Sequence, residues 1–85
     1  MKNNISEYSQ LEFFQLVKRI CVDDYDTEQE HIDAVLHFEE ITAHPDGSDL
    51  IYYPEKSEDG TPENIVRIVK EWRLAQGLAC FKDSN

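Results

Sequence analysis

His44-Pro45-Asp46-Gly47-Ser48-Asp49-Leu50-Ile51-Tyr52-Tyr53-Pro54 is the stretch on which the fold turns. Leu50 to Tyr53 is rich in the branched and aromatic side chains that favour β-strands. A strand, however, needs a neighbour to take up its backbone N–H and C=O groups, and no other segment offers a comparable one. The alternative is a single short helical turn capped by Ser48. Composition alone leaves both open.

On either side of this stretch the pattern is helical. Ser9-Gln10-Leu11-Glu12 has the S-x-x-E form of a capping box, in which two free amides at a helix start are satisfied reciprocally. Phe13, Leu16, Val17 and Ile20 follow at helical spacing, with Phe14 and Cys21 beside the stripe. Asp23-Asp24-Tyr25-Asp26 interrupts it. Thr27-Glu28-Gln29-Glu30 reads as a second capping box, opening a helix to about Thr42, where His44-Pro45 ends it because proline disfavours helical geometry in the preceding residue. A further helix takes Thr61 as N-cap, Pro62 at a position where its missing N–H costs nothing, and Gly77 as its stop. Its expected core stripe is Ile65, Ile68, Val69 and Trp72, and residues 55–60 form a polar acidic loop before it. Without repeats or a linker, the chain reads as one all-helical domain over residues 1–85.

The helix from Thr27 to Thr42 carries more apolar surface than one packed face needs. At about 100° per residue, Ala34, Phe38 and Ile41 make a core stripe, while Ile32 lies roughly opposite. Leu36, Glu28 and Glu39 flank Ile32, and Val35 occupies the seam. Such a helix is either sandwiched between neighbours or exposes an apolar patch rimmed by carboxylates, the composition of a protein-docking surface. Tyr52 and Tyr53 pose the same question. Either one ring enters the core while the other stays wet, or both serve as interface anchors.

Charge narrows the classes of function. Eight Lys and Arg stand against 18 Asp and Glu, a net charge of −10, so phosphate backbones are repelled and a basic protein partner is favoured. The longest apolar runs are four residues (Leu50 to Tyr53, Leu78 to Phe81), far below the roughly 20 a membrane helix requires. The first residues have no apolar stretch of the signal-peptide kind, and two cysteines make no disulfide scaffold, so a protein of a reducing compartment is expected. Cys80, near the chain end, is expected to be the more exposed thiol. His31 and His37 fall about 240° apart on their helix and cannot act as a ligand pair. The glycines are too scattered to cradle phosphate, and Asp46-Gly47-Ser48-Asp49 lacks the spacing of a calcium loop. No catalytic residue, metal or cofactor is expected. An enzyme built on His44 with Asp49 has no supporting nucleophile or metal pattern.

The run from His44 to Pro54 resembles the signature of the four-helix immunity proteins, which protect bacteria from their own nuclease colicins and S-type pyocins. Ile5-Ser6-Glu7-Tyr8, His37-Phe38-Glu39-Glu40, Thr61-Pro62, Ile65-Val66, Lys70-Glu71-Trp72-Arg73, Gly77 and Phe81-Lys82 are also similar and in register, so the resemblance covers essentially the whole chain. It implies a distorted antiparallel four-helix bundle whose third helix is very short, which decides Ser48 to Tyr52 against a strand. It also implies a 1:1 complex with the HNH-type DNase domain of a cognate toxin, docked at an exosite beside the active site, and a monomer when free. Shared binding energy would come from Ser48, Asp49, Tyr52, Tyr53 and Pro54. Discrimination among toxins would come from Glu28, His31, Ile32, Val35 and Glu39. The protein would be cytoplasmic, leaving the cell only as the toxin's passenger.

Two positions depart from the family pattern. His31 stands where relatives usually carry an aliphatic or charged residue, and an imidazole with its ordinary pKa of about 6.5 would bring mild pH dependence to binding. Leu78-Ala79-Cys80 replaces a more usual small or polar stretch, and no functional meaning attaches to that change. The rival reading is an acidic adaptor or nucleic-acid mimic. Its affinity would follow total charge, and Tyr52 and Tyr53 would be dispensable.

Overall fold

Residues 4–54 and 60–83 are described by the structure, a computed structural model. A 3-10 turn at Ile5–Glu7 precedes four α-helices: α1, Gln10–Val22; α2, Glu28–Thr42; α3, Asp49–Tyr52; and α4, Pro62–Ala75. The protein is all-α, and the described residues contain no strand. Most of the polar loop expected over residues 55–60 lies outside the described residues.

The helix starts follow the cap chemistry. Ser9 Oγ accepts the Glu12 amide at 3.0 Å while Glu12 Oε1 accepts the Ser9 amide at 2.9 Å, closing the box at α1. At α2 only half of the expected box forms. Thr27 Oγ1 accepts the Glu30 amide at 3.1 Å, but Glu30 Oε2 reaches one residue further back, to the Asp26 amide at 3.3 Å. Thr61 caps α4 through the Asn64 amide at 3.3 Å, with Pro62 in the first turn. Beyond α4, Gly77 turns left-handed at φ 73°. Its amide reaches the Leu74 carbonyl and that of Leu78 the Arg73 carbonyl, a double closure that needs a residue comfortable at positive φ.

The helices α2 and α4 pack on α1. Phe13 stands at the centre, its ring centroid 5.8 Å from Phe38 on α2 and 5.1 Å from Phe81 near the C-terminus, with Tyr8 edge-on at 6.4 Å. Ile5, Val17, Ile20, Ala34, Ile41, Leu50, Ile65, Val66, Val69 and Cys80 are the other buried hydrophobic residues among those described. The C-terminal segment is tied down beside the N-terminal one. The Lys82 amide donates to the Tyr8 carbonyl at 2.8 Å, and Asp83 Oδ1 accepts the Gln10 amide at 2.9 Å.

Three sequence expectations are corrected. Cys80 is the buried cysteine, only 6% exposed beside Phe81, and Cys21 is the exposed one; the strapped C-terminus covers Cys80 rather than fraying. Trp72 is only half-buried and lies against the His44 ring, 4.7 Å between centroids. Val66 is buried in its stead: Ile65, Val69 and Val66 share an arc of roughly 100°, and that arc also contains Arg73. Arg73 turns inward, with Nη1 on the Thr42 carbonyl at 2.7 Å and Nε on the Ala79 carbonyl at 2.6 Å. A cation thereby occupies the carboxyl end of α2, where orphan carbonyls carry partial negative charge. Lastly, Ser48 occupies the N-cap position of α3 but its side chain makes no capping bond.

Candidate functional site

Successive short backbone turns build α3. Gly47 N–H reaches the His44 carbonyl, Asp49 that of Asp46, and Leu50 that of Gly47, before Tyr53 closes on Asp49 at 2.8 Å. Only Gly47 makes this path easy. Its φ is 49°, and a Cβ there would stand 2.7 Å from Glu39 Oε2. Of the four α3 side chains, Leu50 faces the core and Ile51 packs against its edge. With that apolar side satisfied, the tyrosines face water: Tyr52 is 48% and Tyr53 78% exposed. Both rings are outside the core, so neither of them fills it.

The exposed face of α2 stands on the same part of the molecule. Ile32 is 45% and Leu36 57% exposed, so the apolar excess of this helix is not a second buried face. Val35 is half-buried against the core, and Glu28 is exposed in the first turn. Glu39 is less free than its place on a rim implies, because it is half-buried with its carboxylate against the Gly47 turn. Asp49 and Tyr53 join His44, Asp46, Leu50, Pro54 and Ile68 around a cavity of about 230 Å³. Ser48 is half-buried and serves through its carbonyl, which accepts the Ile51 and Tyr52 amides.

His31 is the residue that joins the two groups. Its Nδ1–H donates to Asp23 Oδ1 at 3.0 Å, and its Nε2 meets the Tyr52 hydroxyl at 3.3 Å. Its ring stacks on Tyr25, 12° from parallel and 5.6 Å between centroids. The Arg19 guanidinium lies 4.5 Å over the same Tyr25 ring, a cation–π arrangement. Partial burial raises the Tyr52 hydroxyl above its ordinary pKa, helped by nearby Cys21 and Asp23. Burial likewise raises the Cys21 thiol, with Glu63 adding to the shift, so it is a poor nucleophile. Arg19, Asp23 and Tyr25 were not singled out in the sequence. The one available signal was an aromatic residue inside the acidic break at residues 23–26.

The other histidines have structural partners. His44 Nδ1 accepts the Asp46 amide at 3.0 Å, and its ring lies on Trp72. His37 Nε2 bonds the Tyr8 hydroxyl at 2.9 Å, and burial lowers its pKa against the opposing pull of Glu40. Among the described residues, no three His, Cys, Asp or Glu side chains converge in a metal-binding arrangement. No helix of the described residues is long and apolar enough to cross a membrane.

The family model for colicin immunity protein / pyocin immunity protein matches residues 5–75. The chain belongs to that immunity protein family. It is 47% identical to the pyocin-S2 immunity protein of Pseudomonas aeruginosa strain PAO1 over 85 residues, covering 96% of this chain and 98% of the relative. Identity to the P. aeruginosa pyocin-S1 immunity protein is 46% at the same coverage. Two solved structures are similar in fold. One is the crystal structure of the pyocin AP41 DNase–immunity complex, with a TM-score of 0.84 and 40% identity over 98% of this chain and 100% of the matched chain. The other, of the mutant nuclease domain of pyocin S8 with its cognate immunity protein, gives 0.86 and 36% over 95% and 99%. Membership of the immunity family implies an inhibitor rather than an enzyme.

Proposed function

We propose that this immunity protein binds the nuclease domain of one cognate bacteriocin in a 1:1 complex and shields nucleic acid from it. The docking surface comprises Ser48, Asp49, Tyr52, Tyr53 and Pro54 at α3, with Glu28, His31, Ile32, Val35 and Glu39 from α2. The observation that carries this reading is the pairing of two water-facing tyrosines with an unburied apolar face of α2. A monomer has no folding reason to leave such rings outside its core, whereas a tyrosine offers an interface a large apolar face and a polar tip.

Charge and anchors have separate tasks. A net charge of −10 speeds encounter with a basic nuclease and repels nucleic acid once bound. The tyrosines and Ile32 hold the complex together. Seated at an exosite beside the active site, the protein excludes DNA by bulk and by charge, with no catalytic group of its own. It acts in the cytoplasm of the producing cell, free as a monomer, and is exported only with the toxin.

The test is inhibition of DNA cleavage by the purified nuclease domains of pyocins S1, S2, AP41 and S8 with a stoichiometric amount of this protein. At least one should be inhibited, and its complex should persist on gel filtration at about 1 M salt, where charges more than roughly 3 Å apart are screened. A complex that dissociates in salt and forms with any basic protein would favour the acidic-adaptor reading.

A further inference from the structure

Tyr52 and Tyr53 are adjacent, yet they are held differently. Among the described residues the Tyr53 hydroxyl has no hydrogen bond, and its ring borders the cavity beside α3. The Tyr52 hydroxyl is held by His31, and His31 in turn is fixed on two sides. A carboxylate can only accept, so Asp23 places the proton on His31 Nδ1 and leaves Nε2 to accept from the Tyr52 O–H. Tyr25, stacked on the imidazole and overlain by Arg19, keeps the ring from rotating away. Arg19 also donates to the Asp24 carbonyl at 3.1 Å, anchoring the same connection.

The chain of contacts therefore runs from the last turn of α1, through the α1–α2 connection and α2, to α3. The helix α3 is a single turn, too short to be stable by itself. We infer that His31 is a positioning residue: it fixes the Tyr52 ring in its docking orientation before the nuclease arrives, so that less freedom is lost on binding. The inference rests on the proposed docking role of α3. It revises the part given to His31 by the family resemblance, from a direct contact with the toxin to a support for a neighbouring anchor.

The test pairs a measurement on the free protein with one on the complex. In the free protein, His31→Leu should shift and broaden the NMR resonances of the Tyr52 ring, and His31→Gln, whose amide can still accept from Tyr52 and donate to Asp23, should restore them. Resonances unchanged by His31→Leu would overturn the inference whatever the binding result. In the complex with whichever of the four pyocin nuclease domains binds tightest, His31→Leu should weaken affinity about five- to tenfold, the scale of one hydrogen bond. His31→Gln should recover most of that loss, and His31→Leu should cost nothing further in a Tyr52→Phe background. Equal losses in both backgrounds would make His31 a direct contact and overturn the positioning role. Undiminished binding by Tyr52→Ala would instead remove Tyr52 from the anchors, a failure of the docking reading at that ring told apart by the free-protein resonances.

Discussion

Aromatic side chains gather in two regions, and the contrast between them separates folding from recognition. Around Phe13, the rings of Tyr8, Phe38 and Phe81 pack at centroid distances of 5.1 to 6.4 Å under the strapped C-terminus. At α3 and the start of α2, Tyr25, Tyr52 and Tyr53 lie at the surface or half-buried. Every phenylalanine but Phe14 is fully buried, whereas three of the four tyrosines gather at this second region. The first cluster fills space. The second presents two rings with polar tips, the Tyr52 hydroxyl held by an imidazole and the Tyr53 hydroxyl without a hydrogen bond among the described residues, beside apolar α2 side chains that the fold leaves uncovered.

Breaking the first cluster should damage the fold and little else. Phe38→Ala removes the ring stacked on Phe13, and an unfolding free energy lower by about 3–5 kcal/mol is expected in urea titration. Nuclease affinity per folded molecule should remain that of the wild type. A smaller loss is expected from Arg73→Met, which keeps the stem but deserts the Thr42 and Ala79 carbonyls. About 1–3 kcal/mol of stability should go, the usual cost of unpaired partly buried groups, read by the same titration. The smallest effect is one of pH. Burial lowers the His37 pKa in the folded chain, so the unfolded chain takes up its proton first as pH falls below about 6.5. Stability present above that pH is therefore lost as pH falls through the folded pKa. Urea midpoints between pH 7.5 and 5 should fall, and less so in His37→Gln.

Much of this contrast was legible in the sequence. Capping residues at Ser9, Thr27 and Thr61 mark three helix starts because their hydroxyls accept amides locally, without help from the tertiary fold. The surplus of Ile32 and Leu36 followed from periodicity alone, although only packing could say that nothing covers them. Leu50 to Tyr53 could not be read as a helix from composition, because its strand-like side chains are overruled by the turns from His44 to Gly47. Trp72 and Cys80 were misplaced for one reason. Their burial depends on Arg73 and on the C-terminal strap, contacts between residues distant in sequence. The Arg19–Tyr25–His31–Tyr52 assembly was hidden likewise, since its members come from four separate segments.

The most direct test of the account is Tyr53→Ala, measured for both affinity and stability. Tyr53, the residue that caps the carboxyl end of α3, is 78% exposed and contributes little to the core. Binding to a responsive pyocin-type nuclease domain should weaken by more than about 2 kcal/mol, as for an interface anchor, while unfolding stability changes by less than about 0.5 kcal/mol. An affinity loss below about 0.5 kcal/mol in a folded variant would contradict it and move the docking surface away from α3.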